Sequence, residues 1–219
     1  MAFATSVKHS DIPAFCINLN ERPERWASVQ EQFANLAWPV NRWPGGVADA
    51  GLYPRLPRGH CGLIKSCQQL WQHCLSSGLD VVAIFEDDAV FPTDFADIFP
   101  KAYAELPDDW VVWHLHSATA NGPPVGNYVV KINEFCWGAH GYLINARGLS
   151  KVLEIMAAFT EDNVCTSDNI LTNCLLSAGL SPYGVTPAHT LCFQSGESSD
   201  IPETAALGFW QEFKTKYYR

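Results

Sequence analysis

The sequence predicts an α/β fold built on a mixed, mostly parallel sheet flanked by helices, and three observations carry that expectation. Apolar runs too short for helices alternate with amphipathic helical patterns. No internal repeat, low-complexity run or charge block divides the chain. Its 219 residues, 47% hydrophobic and 17% charged, suffice for a sizeable core. A single domain over 1–219 is expected, with 1–10 as a flexible N-terminal segment.

Pro13 to Leu19 reads as a buried strand. From Arg22 to Leu36, Trp26, Val29, Phe33 and Leu36 recur at three- and four-residue spacing, the mark of an amphipathic helix. Trp38 to Arg58 is punctuated by Pro39, Pro44, Gly45, Gly46, Pro54 and Pro57 and reads as a loop. Leu63 to Leu75 returns to helix, with Cys67, Leu70, Trp71 and Cys74 on one face. Asp80 to Phe85 suits a central strand and ends in Glu86, Asp87 and Asp88.

A helix around Phe95 to Leu106 precedes strands at Trp110 to Leu115 and Tyr128 to Ile132. A strand over Gly138 to Ile144 runs into a helix over Ala146 to Phe159. Thr166 or Ser167 caps another helix, a strand follows at Thr190 to Gln194, and Pro202 to Tyr217 forms a last helix.

Composition excludes some functions. Fourteen Lys plus Arg against 23 Asp plus Glu give a net charge of -9, which disfavours nucleic acid because backbone binding needs a basic surface. No apolar run reaches the ~18 to 20 residues of a membrane span, and the N-terminus lacks a signal's apolar region. The expectation is a soluble, cytoplasmic protein whose eight cysteines are reduced and mostly packed as small hydrophobes. The spacing of His60, Cys61, Cys67, His73 and Cys74 matches no common zinc pattern.

The chemistry concentrates at strand ends. Glu86, Asp87 and Asp88 fall at the carboxyl edge of the sheet, where open α/β folds bind ligands. In an extended chain Glu86 and Asp88 point the same way, offering hard oxygens to magnesium or manganese. At the first strand-to-helix junction, Asn18, Leu19, Arg22 and Arg25 stand beside a helix start that favours anions, a plausible diphosphate clamp. The competing reading pairs both arginines with Glu21, Glu24 or solvent. Trp43, Tyr53 and Trp137 lie in or beside Gly/Pro-containing segments and are candidate sugar-stacking platforms, whereas Trp26 and Trp71 lie on apolar helical faces.

Taken in order, these segments resemble glycosyltransferase family 25, the family of lipopolysaccharide-biosynthesis sugar transferases and collagen galactosyltransferase domains. The resemblance runs through Ile17-Asn18-Leu19, Arg22-Pro23-Glu24-Arg25, Gly62-Leu63-Ile64-Lys65-Ser66 with Trp71, and Phe85-Glu86-Asp87-Asp88. It continues through Gly138-Ala139-His140-Gly141-Tyr142-Leu143-Ile144, Ser167-Asp168 and Gln194 with Ser198-Ser199-Asp200-Ile201. The chain departs from the family at Cys67, where many members carry histidine after the serine.

The resemblance implies a GT-A-like fold, a nucleotide-sugar donor (a UDP-sugar first), a divalent metal, Mn(II) or Mg(II), and inversion at the anomeric carbon. It assigns Glu86, Asp87 and Asp88 to the metal and donor site, with His189 a possible late ligand, and Asn18, Leu19, Arg22, Arg25 and Ser66 to the donor. Asp168 is then the first choice for the base that takes the acceptor's proton, with Glu197 as fallback. A purely structural role for Asp168 as a helix N-terminal acid competes evenly. Trp137, Tyr142, Gln194, Ser199 and Asp200 are assigned to an acceptor hydroxyl compound: a glycan, a lipid-linked sugar, a protein or a modified base. The alternatives are a catalytically silent binding module and a nucleotidyltransferase.

Overall fold

The computed structural model describes residues 7–46, 56–116, 122–134, 138–161 and 163–195. β1 (Ala14–Asn18) is buried along its whole length, as befits a central strand covered on both faces. α1 (Pro23–Asn35) starts with proline at its first position, where the missing N–H costs nothing, and buries Arg25, Val29 and Phe33. β2 (Val40–Pro44) lies on the outer side of β1 and pairs with it in parallel.

α2 (Arg58–Ser76) buries Cys61, Ile64, Cys67, Leu70, Trp71 and Cys74 on one stripe. β3 (Val81–Glu86) is parallel to β1, and the two-residue β4 (Ala89–Val90) follows. Next come α3 (Phe95–Tyr103), β5 (Trp110–His114), β6 (Val129–Lys131) and β7 (Gly141–Asn145). α4 (Ala146–Ala157) is capped by Asn145, whose side chain accepts the Gly148 N–H. α5 (Ser167–Asn169) continues through a π-helical turn, Ile170–Cys174, into α6 (Leu175–Ser177). β8 (Ser181–Val185) and β9 (Phe193–Gln194) are the last described strands.

The main sheet has the order β2-β1-β3-β7-β5-β8-β6. Five of its seven strands run one way; β7 and β6 oppose them. Side chains alternate between two cores, so Phe15, Ile17, Val82 and Ile84 face α2 and α4, while Cys16, Ala83, Phe85 and Trp113 face α1 and α3. β4 and β9 form a separate antiparallel pair.

The structure corrects several expectations. The segment read as a loop from Trp38 contains β2, an edge strand whose mixed exposure hides its period. The expected strand over Thr190 to Gln194 is only Phe193–Gln194. No strand is expected over Ser181–Val185, where Pro182 and Gly184 are poor strand formers, yet β5 and β6 hold β8 on both sides. Within the N-terminal segment expected to be flexible, His9 is buried, donates from Nε2 to the Leu36 carbonyl at 2.8 Å, and meets Trp38, Phe95 and Phe99 edge-on. The expected helix over Pro202 to Tyr217 lies outside the described residues.

Candidate active site

Because β1, β3 and β5 point the same way, Asn18, Glu86 and His114 come to one edge of the sheet. β7 runs opposite, so its first residues, with Gly138 and His140 before them, return to that edge. α2 runs back across the sheet and presents Arg58 and Gly59 there.

A cavity of about 280 Å³ opens at this edge. Glu86, Asp87, Asp88 and Gln194 form one side, Arg25 and Arg58 bring positive charge, and Ile17, Leu19 and Leu63 give an apolar wall. Gly45, Gly46, Gly59 and Gly62 let main chain line it directly. Ser66 also lines it; its hydroxyl accepts from Gly46 N at 2.7 Å and donates to the Gly62 carbonyl at 2.7 Å, tying the β2 exit to α2.

The three carboxylates have different surroundings. Asp87 accepts from Asn18 Nδ2 at 2.7 Å and from Arg25 Nη1 at 3.1 Å. Asn18 is itself fixed, donating to the Arg22 carbonyl at 3.1 Å and accepting from Arg42 Nε at 2.8 Å. Asp88 accepts from Gln194 Nε2 at 2.7 Å through Oδ2, while its buried Oδ1 has no hydrogen-bond partner among the described residues. Burial raises the Asp88 carboxyl above the usual range, against the lowering influence of Gln194 and His140. Glu86 is pushed well up by burial first and then by Asp88, Asp168 and Asp87.

Asp168 is 8% exposed and stands near enough to Glu86 for its charge to raise that carboxyl. Its Oδ1 accepts from the Thr166 hydroxyl and from Asn169 N at 2.9 Å; its Oδ2 accepts only from Gly138 N, at 3.3 Å, among the described residues.

Other residues singled out in the sequence fall elsewhere. Arg22 lies 3.7 Å from Glu24 and is partly exposed. Tyr142 is 1% exposed with its hydroxyl accepting from Trp71 Nε1 at 2.9 Å, so it packs in the core and offers an acceptor no accessible wall. Trp43 rests against Phe15 and His73 with its indole nitrogen buried, which removes it as an open stacking platform. His189 is bonded to the Thr186 hydroxyl at 2.8 Å and packs tilted against Tyr128, away from the cavity lining. Trp137, Glu197, Ser199 and Asp200, together with Tyr53, lie outside the described residues.

Sequence reasoning missed Arg42, which donates to Asn18, and Gly45, Gly46, Arg58 and Gly59 in the cavity lining; the Pro-Gly-Gly and Pro-Arg-Gly runs are the signals that mark the last four. It also missed the trio His114, His116 and His140, whose trace is the His-x-His spacing at the end of β5. No three His, Cys, Asp or Glu side chains converge as a ready-made metal cage among the described residues.

A mixed sheet with carboxylates at a parallel strand end, opening on a cavity walled by glycine and edged by arginine, is the architecture of a GT-A-like glycosyltransferase. The chain belongs to glycosyltransferase family 25 (LPS biosynthesis protein), whose family model matches residues 50–171, more than half of its length. Among solved structures it is similar to a glycosyltransferase involved in the glycosylation of the major capsid of PBCV-1, with a TM-score of 0.52 and 8% identity over 85% of this chain and 95% of that one. A197 from STIV aligns with a TM-score of 0.43 and 10% identity, over 87% and 98% of the two chains. No curated protein matches the chain. Among the described residues, no helix is long and apolar enough to cross a membrane.

Proposed function

We propose that the protein transfers a sugar, with inversion, from a nucleotide-sugar donor to a hydroxyl acceptor, assisted by a divalent cation, and that 1–219 work as one catalytic domain. The observation that carries this reading is the pair of raised carboxyls, Glu86 and Asp88, at the cavity edge, with Asp88 Oδ1 buried and without a hydrogen-bond partner among the described residues. Such a pair fits a hard cation. Magnesium and manganese sites often use one or two carboxylates and take the remaining oxygens from water and substrate phosphates. Glu86 and Asp88 would hold it, and once bound it would supply positive charge against the leaving diphosphate.

This chain's own residues do the rest. Arg25 and Arg58 supply fixed positive charge at the cavity for the diphosphate, and Ile17, Leu19 and Leu63 give an apolar wall for the base or ribose. Asp87, held by Asn18 and Arg25, pins the end of β3 so that Glu86 and Asp88 keep their direction. Asp168 Oδ2, which accepts a single N–H bond among the described residues, is the oxygen with a lone pair left to take the acceptor hydroxyl's proton. A UDP-sugar is the donor tested first.

A thermal-shift screen of nucleotide sugars with and without manganese tests the reading, because a ligand at 100 times its Kd adds about 2.7 kcal/mol of stability. Stabilisation by a nucleotide sugar that requires manganese, followed by product of inverted anomeric configuration in NMR, supports it. Absence of any manganese-dependent stabilisation, or retained configuration, contradicts it.

A further inference from the structure

Eight buried side-chain atoms lack a hydrogen-bond partner among the described residues, and four of them belong to His114, His116 and His140. The three rings form a continuous group. His116 and His140 lie 4.4 Å apart at 31°, and His114 and His116 lie 5.2 Å apart at 78°. All three are under 10% exposed, and burial holds each below the ordinary histidine range. Apolar residues would fill this space without leaving imidazole nitrogens unpaired, so the histidines call for another explanation.

One hydrogen bond ties the group to the main chain beside Asp168. His116 Nε2 lies 3.0 Å from the Gly138 carbonyl, which can only accept, so the ring carries its hydrogen on Nε2 and leaves Nδ1 as a lone pair with no partner among the described residues. The N–H of the same Gly138 donates to Asp168 Oδ2 at 3.3 Å. Gly138 is held at φ +91°, and a Cβ there would stand 2.9 Å from His140 Nδ1. Its carbonyl, amide and Cα are therefore fixed by His116, Asp168 and His140 in turn. The near-stacked rings do not converge on a point, and they form no group able to hold a metal.

We infer that His116 is a positioning residue: through Gly138 it aims the carboxylate of Asp168 at the acceptor hydroxyl. The inference rests on the reading of Asp168 as the base. His116 touches no reacting atom; it fixes the peptide that fixes Oδ2.

The test uses manganese-supported turnover of a panel of UDP-hexoses by the full chain. His116→Phe keeps a ring but loses the donor, and His116→Gln keeps a side-chain N–H; His116→Met replaces the phenylalanine variant if that one fails to fold. The expected result is a kcat loss of about 10-fold or more for His116→Phe, toward the ~100-fold that a 1 Å misplacement costs. The donor KM should be unchanged, with partial recovery of kcat in His116→Gln. In an Asp168→Asn background, His116→Phe should lower kcat no further.

An equal loss in that background, or a His116→Phe enzyme with undiminished kcat, overturns the inference. Undiminished kcat in Asp168→Asn alone instead overturns the reading of the base on which it rests. Absence of turnover by the unmodified chain removes both.

Discussion

Arg25 Nη1 and Asp87 Oδ1 form an ion pair at 3.1 Å, with side chains only 10% and 12% exposed. The pair joins the first turn of α1 to the end of β3 and gives Asp87 a cation partner, while the Asp87 charge still raises the carboxyls of Glu86 and Asp88. Removing one partner of a buried pair leaves the other charge uncompensated, at a cost of about 3 kcal/mol or more. Arg25→Ala should therefore lower the unfolding free energy measured by urea titration by about that amount. Asp87→Asn combined with Arg25→Ala should recover part of the loss.

The raised carboxyls set a pH dependence with a definite sign. The folded chain holds the protons of Glu86 and Asp88 more tightly than the unfolded chain does. Their contribution to stability is fully present below the ordinary carboxylate range of about 4 and is lost as pH rises through the raised values. Thermal unfolding of the cation-free protein should show this decline, and Glu86→Gln should flatten it. Manganese, competing with those protons, should bind more tightly as pH rises and stabilise most where the cation-free protein has lost most.

Gly148 provides a test of the framework beneath the site. It sits in the first turn of α4, where alanine is the better helix former by about 1 kcal/mol. A Cβ there would stand 2.5 Å from the Val111 carbonyl oxygen on β5 and 2.8 Å from Ile144 Cγ1. Gly148→Ala should destabilise by about 1–3 kcal/mol despite its propensity, as overpacking does. Stabilisation in a denaturant titration would show that α4 does not approach the sheet this closely.

The central strands were legible because burial on both faces leaves them as plain apolar runs: β1 and β3 are readable from Pro13 to Leu19 and from Asp80 to Phe85. β8 was not legible. Pro182 and Gly184 signal a turn locally, and only the ladders from β5 and β6 override them. The acidic strand end was visible as a place, but its division of labour was not. What separates Asp87 from its neighbours is Asn18 and Arg25, which β1 and α1 bring from far away in the chain. The histidine group has the same origin, since His116 and His140 meet only because β5 and β7 pair.

The central claim is that Glu86 and Asp88 form a cation-assisted nucleotide-sugar site, and release of nucleoside diphosphate from nucleotide sugars in the presence of manganese tests it most directly. Turnover should cease on chelation, fall by about 100-fold or more in Asp88→Asn, and fall ~100- to 10,000-fold in Asp168→Asn with donor binding retained. Turnover that survives both chelation and Asp88→Asn, or release of pyrophosphate from nucleoside triphosphates in its place, would contradict it.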